Sequence, residues 1–270
     1  MGRKVWHHEV DPNWLEARRH VLTATDIVNL LPEFKRWIKA GDPDALPPGF
    51  SSLWCKKITQ GFDEIDSYNA AARGHIMEPY AIEDWNNQCN PIFCHWDDAL
   101  IVRDGVGFSP DAMTIPQDNP SICFEVSDSG RSLIPGGNIN ELCPTPWAIM
   151  EVKCYEPANH MKSLCIKNKM DHKEIWQIAT AFHVLPDLER AYLLWYCPNA
   201  PFPMHSEEFS REELEDAIDT VAAIAGLYGK VADHWAEQLD DVGIMYASHT
   251  EDEIYNEWLK TLSDNIFELR

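Results

Sequence analysis

The 270-residue chain predicts an α/β domain: a mixed central β-sheet flanked by helices, with a helical C-terminal extension. Three observations lead there. Helical periodicity dominates up to residue 88, short strand-like stretches separated by turns fill the middle, and helical patterns return after a buried strand near 190–197. With 45% apolar residues, the chain is long enough to bury a substantial core.

Element by element, residues 12–22 (PNWLEARRHVL) read as a helix. TATDIVNLLPEFKRWIKAG restarts one, with Thr23 as N-cap before an apolar periodic run, so two helices are expected to meet near Thr23. GDPDALPPGFSS reads as a loop from its Pro and Gly content. SYNAAARGHIMEPYAIEDWNNQ reads as a helix that Pro79 starts or kinks just after Glu78. PIFCHWDDALIV, GVGFSPDAMTI, SICFEVS and WAIMEVKCYE follow as strands, with an extended hairpin or insertion around 115–146. A helix in KNKMDHKEIWQIATAFHVL leads to the buried strand RAYLLWYC. SREELEDAIDTVAAIAGLYGKVADHWAEQL places Ser210 and Glu213 at capping-box spacing, and EDEIYNEWLKTLSDNIFEL follows as a last helix. The expected division is a core over 1–200 and an acidic helical extension over 201–270 packed on the same domain.

The eight cysteines contain no C-x-x-C pair and fit no iron–sulfur spacing, so they read as reduced thiols. No apolar run approaches a membrane span and the opening MGRKVWHHEV lacks a signal-peptide core, so the expectation is a cytoplasmic protein with no membrane partner. A net charge of −22 argues against nonspecific coating of nucleic acid, but the charge is uneven. Residues 201–270 hold 17 acidic and 4 basic residues, whereas 151–173 holds Lys153, Lys162, Lys167, Lys169 and Lys173.

The strand WAIMEVKCYE raises the chemical question. Successive strand residues point to opposite faces, so Glu151 and Lys153 share one face and Met150, Val152 and Cys154 the other. A surface cross-strand ion pair would account for two charges. A carboxylate metal ligand beside an ammonium is also what phosphodiester hydrolysis requires, since a divalent cation neutralises phosphate and acidifies water while the lysine helps orient or deprotonate that water. FSPDAM supplies a second carboxylate, Asp111, at the end of a neighbouring strand-like run. A helix beginning near Thr23, the Thr25 hydroxyl and Arg18 together form a candidate anion site. No Walker A loop, G-x-S-x-G or Rossmann glycine pattern is present, and the isolated histidines form no defensible metal spacing.

Asp111 after a proline, EVK on a second strand and RGHIMEP on an upstream helix occur in the order of the PD-(D/E)XK, restriction-endonuclease-like fold. More closely, Trp14 to Arg18 followed by Thr23 to Thr25, Gly74 to Glu78 with Ala81, SPDA at 109–112, EVKC at 151–154 and Gln177 resemble the motifs of the lambda exonuclease and YqaJ-like viral recombinase (alkaline exonuclease) family. The resemblance covers residues 14–177. It implies that Asp111, Glu151 and the Val152 carbonyl bind Mg2+, with Mn2+ as a substitute. Lys153 would be catalytic, Glu78 would hold metal-bound water, Gln177 would assist catalysis, and Arg18, Thr25 and Ser109 would hold the 5′-phosphate of a DNA end. It further implies 5′-to-3′ digestion of linear duplex DNA, a homotrimeric ring, a single-strand annealing protein as partner, and a phage or prophage origin in a bacterial host.

Two departures stand out. Where the family has a further phosphate-contacting arginine this chain has Asn159, so either His160 or Lys162 substitutes or the pocket is weaker, and the Asp111–Glu151 segment is about 30 residues longer. Trp54 with Lys56 and Lys57 is an additional candidate for stacking on a base and holding its backbone. The rival functions are an endonuclease of the same fold without end preference and a noncatalytic acidic inhibitor that mimics DNA.

Overall fold

The computed structural model describes residues 4–7, 21–59, 70–95, 99–114, 125–126, 132–133 and 147–242. In chain order these form β1 (Lys4–His7), β2 (Leu22–Thr23), α1 (Ala24–Ala40), α2 (Pro48–Thr59), α3 (Ala70–Gln88) and β3 (Phe93–His95). Next come β4 (Ala99–Arg103), β5 (Val106–Phe108), β6 (Ala112–Thr114), β7 (Glu125–Val126), β8 (Ser132–Leu133) and β9 (Ala148–Lys153). The remainder is α4 (Pro157–Ser163), α5 (Ile175–Val184), β10 (Arg190–Tyr196), β11 (Met204–Ser210) and α6 (Glu215–Val242).

The mixed α/β class expected from the sequence is the class observed, but its strands divide between two mixed sheets. The larger has the order β11-β10-β9-β6-β3 and the smaller β1-β4-β5-β2, while β7 and β8 pair as a two-stranded hairpin within the long segment before β9. β9 runs parallel to β10 and antiparallel to β6, with Ala112 opposite Met150. β5 runs parallel to β2, with Thr23 opposite Gly107. The stretch Ser109-Pro110-Asp111 therefore carries the chain from one sheet into the other.

The core is built on both faces of β9. Ile149 joins Ile178 and Phe182 of α5 with Leu193 and Trp195 of β10 on one side. Met150, Val152 and Cys154 pack with Ala81, Ile82 and Trp85 of α3 on the other. A strand buried on both faces reads as a nearly continuous apolar run, which AIMEVK is except at Glu151 and Lys153.

Thr23 caps α1 as expected. Its hydroxyl accepts from the Asp26 N–H, the Asp26 carboxylate accepts from the Thr23 N–H, and Gly41 ends the helix in the left-handed region at φ 71°. The capping-box spacing after β11 is realised too, with Ser210 N donating to Glu213 Oε2 at 2.9 Å and Glu213 N to Ser210 Oγ at 3.4 Å.

Several expected boundaries move. Leu22 is fully buried in β2 rather than in a helix, because it pairs with Val106, so a strand and not a second helix precedes Thr23; residues 12–20 lie outside the described ones. GFSS belongs to α2, which starts at Pro48, a residue preset for a helix's first turn. α3 passes through Pro79 instead of starting there, held by buried Ala81, Ile82 and Trp85 beyond it. Residues 204–210 are a strand, because antiparallel pairing with all of β10 outweighs their polar composition, so the core sheet extends beyond 200 and helix follows only later. Contacts divide the chain into units Met1–Val231 and Ala232–Arg270, and the described part of the second is the end of α6. Among the described residues no helix is long and apolar enough to cross a membrane, and the six cysteines are free thiols.

Candidate active site

The end of β9 and the start of β6 bring four of the expected residues together. Pairing of Ala112 with Met150 sets Asp111 beside Glu151 and Val152, and Asp111 Oδ2 accepts from Val152 N at 2.6 Å. Glu151 is 4% exposed, and the Lys153 ammonium reaches back along the strand to its Oε1 at 2.5 Å. The ion pair between same-face residues is real, but it is buried at a strand end beside a second carboxylate, not on an open sheet surface.

Electrostatics identify the cluster as crowded with negative charge. Burial, then Glu151, then Glu78 push the Asp111 carboxyl well above its ordinary value, although Lys153 and the Val152 N–H pull the other way. Burial opposes charge on Lys153, yet Glu151 and Asp111 outweigh it and hold the ammonium above its usual range. Cys154, on the opposite face of the strand, is pushed up to about 12 by burial and then by Glu78, so it is a packed thiol and not a nucleophile. Glu78 on α3 is thus within electrostatic reach of Asp111 and Cys154.

The other expected residues fall around this centre. Gln177 is half-buried in the first turn of α5, the helix whose Ile178 packs with Ile149 on the Glu151 side of the sheet. Parallel pairing of β2 with β5 brings Thr25 and Ser109 to the same edge, each two residues beyond the paired Thr23 and Gly107. Thr25 is exposed at the start of α1. The N-terminus of α1 is less open than its sequence suggests, since the Asp26 N–H is taken by Thr23 and Asp26 places its own carboxylate there. Lys57 neutralises that carboxylate at 2.8 Å and donates to Val21 O, so it clamps α1 and its charge is not available to hold a DNA backbone. Arg18 lies outside the described residues.

His160 is fully buried and its Nε2 meets Phe202 O at 2.7 Å, so it packs α4 and does not take the place left by Asn159; exposed Lys162 is the candidate that remains. Arg73 was missed by motif reading. Its guanidinium donates to Cys154 O and pairs with Glu156 at 3.3 Å, tying the helix that carries Glu78 to the end of the strand that carries Glu151 and Lys153. Its signal in the sequence was its position one residue before Gly74, five before Glu78.

Asp111 and Glu151 offer carboxylate oxygens, with the Lys153 ammonium beside Glu151, and the crowding of carboxylates is the condition a hard divalent cation relieves, so the residues fit Mg2+. Among the described residues no three His, Cys, Asp or Glu side chains are placed to hold a metal by themselves. A site of two carboxylates and a carbonyl suits Mg2+, which keeps several positions for water and phosphate.

No protein-family profile matches the chain, and no curated protein matches it significantly in sequence. Its fold is similar to that of a solved alkaline exonuclease (LHK-Exo) from Laribacter hongkongensis, at 16% identity and a TM-score of 0.55, covering 86% of this chain and 100% of that one. The structure of LHK-Exo in complex with dAMP gives a TM-score of 0.56 with the same identity and coverage. At this identity the likeness speaks for the fold, and function rests on the site.

Proposed function

We propose that the chain is a Mg2+-dependent deoxyribonuclease that digests one strand of linear duplex DNA from a 5′-phosphorylated end, leaving a 3′ single strand for recombination by strand annealing. The observation that carries this is the buried constellation of Asp111 against Val152 N, Glu151 beside it and Lys153 on Glu151. The order of motifs along the chain and the fold shared with an alkaline exonuclease support it.

In this reading Asp111, Glu151 and the Val152 carbonyl hold Mg2+, with Mn2+ as a substitute. The ion supplies charge neutralisation at the scissile phosphate and a more acidic water. Lys153, kept charged by Glu151 and Asp111, orients the attacking water and meets a non-bridging phosphate oxygen; Glu78 and Gln177 orient the water from α3 and α5. Water oxygen bonds to phosphorus, the bond from phosphorus to the 3′-oxygen breaks, and the leaving oxygen takes a proton. Thr25, Ser109 and Arg18 hold the terminal 5′-phosphate. A homotrimeric ring around the duplex and a single-strand annealing partner belong to the same proposal, as does action in the cytoplasm of a bacterial host.

The test is digestion of linear duplex with 5′-phosphate against 5′-hydroxyl ends, and of closed circles, with Mg2+ and with chelator. Rapid Mg2+-dependent loss of the 5′-phosphorylated substrate alone is expected. Rapid cutting of circles makes the protein an endonuclease, and no cleavage at all, with K153A indistinguishable from the parent, leaves the noncatalytic inhibitor.

A further inference from the structure

The strand end beyond Lys153 carries a second polar contact that metal and phosphate chemistry does not use. The Tyr155 hydroxyl donates to Glu174 Oε1. Glu174 is 4% exposed, and its neighbouring cation, Lys173, sits 3.7 Å away with 79% of its side chain exposed. A buried carboxylate whose close lysine lies almost wholly in solvent depends on the phenol for its hydrogen bond, and removing one partner of such a pair is costly.

Both ends of this contact are placed to matter. Tyr155 is two residues past Lys153, and its backbone N–H donates to Lys153 O at 3.1 Å. Glu174 is the N-cap of α5, and its carbonyl accepts from Gln177 N at 2.9 Å and from Ile178 N at 3.3 Å. Glu174 makes no side-chain cap bond to its own helix, so its carboxylate is spent on the strand instead. The Tyr155 ring packs against the core cluster that includes Ile149, Ile175 and Ile178, while its phenol meets Glu174 at the start of α5.

We propose that Tyr155 and Glu174 are positioning residues: their bond sets the first turn of α5 against the end of β9 and so fixes Gln177 relative to Lys153 and Glu151. This rests on the nuclease reading for its effect on rate, but the tie itself does not. Neither residue touches substrate; they act through Gln177.

The experiment combines steady-state digestion of 5′-phosphorylated linear duplex with amide hydrogen exchange. Y155F and E174A are expected to lower kcat about tenfold with KM unchanged within about twofold, and E174Q, which keeps an acceptor oxygen, to recover most of the rate lost in E174A. In a Q177A background Y155F is expected to have no further effect, because the two changes act on one group. Exchange of the 177 and 178 amides is expected to quicken in Y155F while the remaining core amides keep the parent's rates. An equal fold-loss from Y155F with and without Gln177, or a rise in KM in place of a fall in kcat, overturns the positioning role. Unchanged exchange at 177 and 178 overturns the tie. A parent without activity overturns the nuclease reading and the role in catalysis together, while the exchange measurement still reports on the tie.

Discussion

Replacing Asp111 with Asn is expected to stabilise the metal-free protein while abolishing its activity. Asp111 sits beside Glu151 and within reach of Glu78, and burial followed by those two charges raises its carboxyl well above the ordinary value. Two like charges several ångströms apart at an effective dielectric of about 20 repel by roughly 2 kcal/mol, of which Lys153 offsets part, leaving about 1–2 kcal/mol to gain. The asparagine keeps an acceptor oxygen for the Val152 N–H now bonded at 2.6 Å, so the geometry survives. For a chain of this size that gain corresponds to a rise in Tm of about 2–8 °C. The sign follows from linkage: a carboxyl raised in the folded state binds protons more tightly there, so its penalty is absent below the unfolded carboxyl value near 4 and grows as pH rises toward the folded value. The gain should therefore be present at pH 8 and vanish in acid. On the proposed reading Mg2+ is expected to reverse the ranking, since a ligand at about a hundredfold over Kd stabilises the protein that binds it by about 2.7 kcal/mol and should stabilise D111N much less. Thermal unfolding with Mg2+ and with chelator checks this, beside a cleavage assay. A D111N protein that melts below the parent in chelator, or one that Mg2+ stabilises equally, would show that Asp111 is an ordinary structural carboxylate.

Other outcomes follow from the same geometry. K153A should lower the cleavage rate by about 10²–10⁴-fold with the fold retained, measured by initial rates and circular dichroism; retention of more than a tenth of the rate removes Lys153 from the chemistry. His172 is 2% exposed with its ring 4.3 Å from that of Trp195, and burial lowers its pKa against the pull of Glu174 and Glu207. It is neutral when folded, so stability should fall as pH drops below about 6.5, and H172F should flatten that slope in urea titrations between pH 7 and 5.5. Digestion of end-labelled 5′-phosphorylated duplex should release 5′-mononucleotides from the first turnover; dinucleotide products would place the phosphate pocket one step too far from the cleavage site.

The Glu151–Lys153 pair at the centre of the candidate site could be read from the sequence because its spacing is local, whereas the approach of Asp111 depends on the pairing of two distant strands. Glu151 and Lys153 are two apart on one strand, and the alternation of a strand puts them on one face without any knowledge of the fold. Thr23 as a cap followed from a hydroxyl residue just before an apolar periodic run, and the structure adds its reciprocal bond with Asp26. What was hidden depended on contacts between distant segments. Leu22 is a strand residue because Val106 pairs with it, and residues 204–210 are a strand because β10 offers a full edge, although MHSEEFS has little β character of its own. His160 was a plausible phosphate ligand until the carbonyl of Phe202, 42 residues later, claimed its ring nitrogen. Arg73 and Lys57 were underread for the same reason: each spends its charge on a backbone carbonyl and an acid that no local spacing reveals.

On the proposed reading, the corner between the two sheets sets the step of the enzyme. Ser109 follows the strand paired with β2, two residues beyond the partner of Thr23, and Asp111 immediately precedes the strand paired with β9. Two residues of extended chain span at most about 7 Å, so a phosphate held at Ser109 and Thr25 leaves room for little more than the next phosphodiester at Asp111 and Glu151. Cleavage there breaks the bond to the 3′-oxygen and leaves the new end carrying a 5′-phosphate, the group the pocket binds. Each product is then the next substrate, and an overall charge of −22 is no obstacle, because attraction is needed only at the few groups that hold the end, while the acidic remainder repels nonspecific contact. Pro110, between the two functional positions, donates no backbone hydrogen bond and holds its φ near −65°, which favours a stiff separation over an adjustable one.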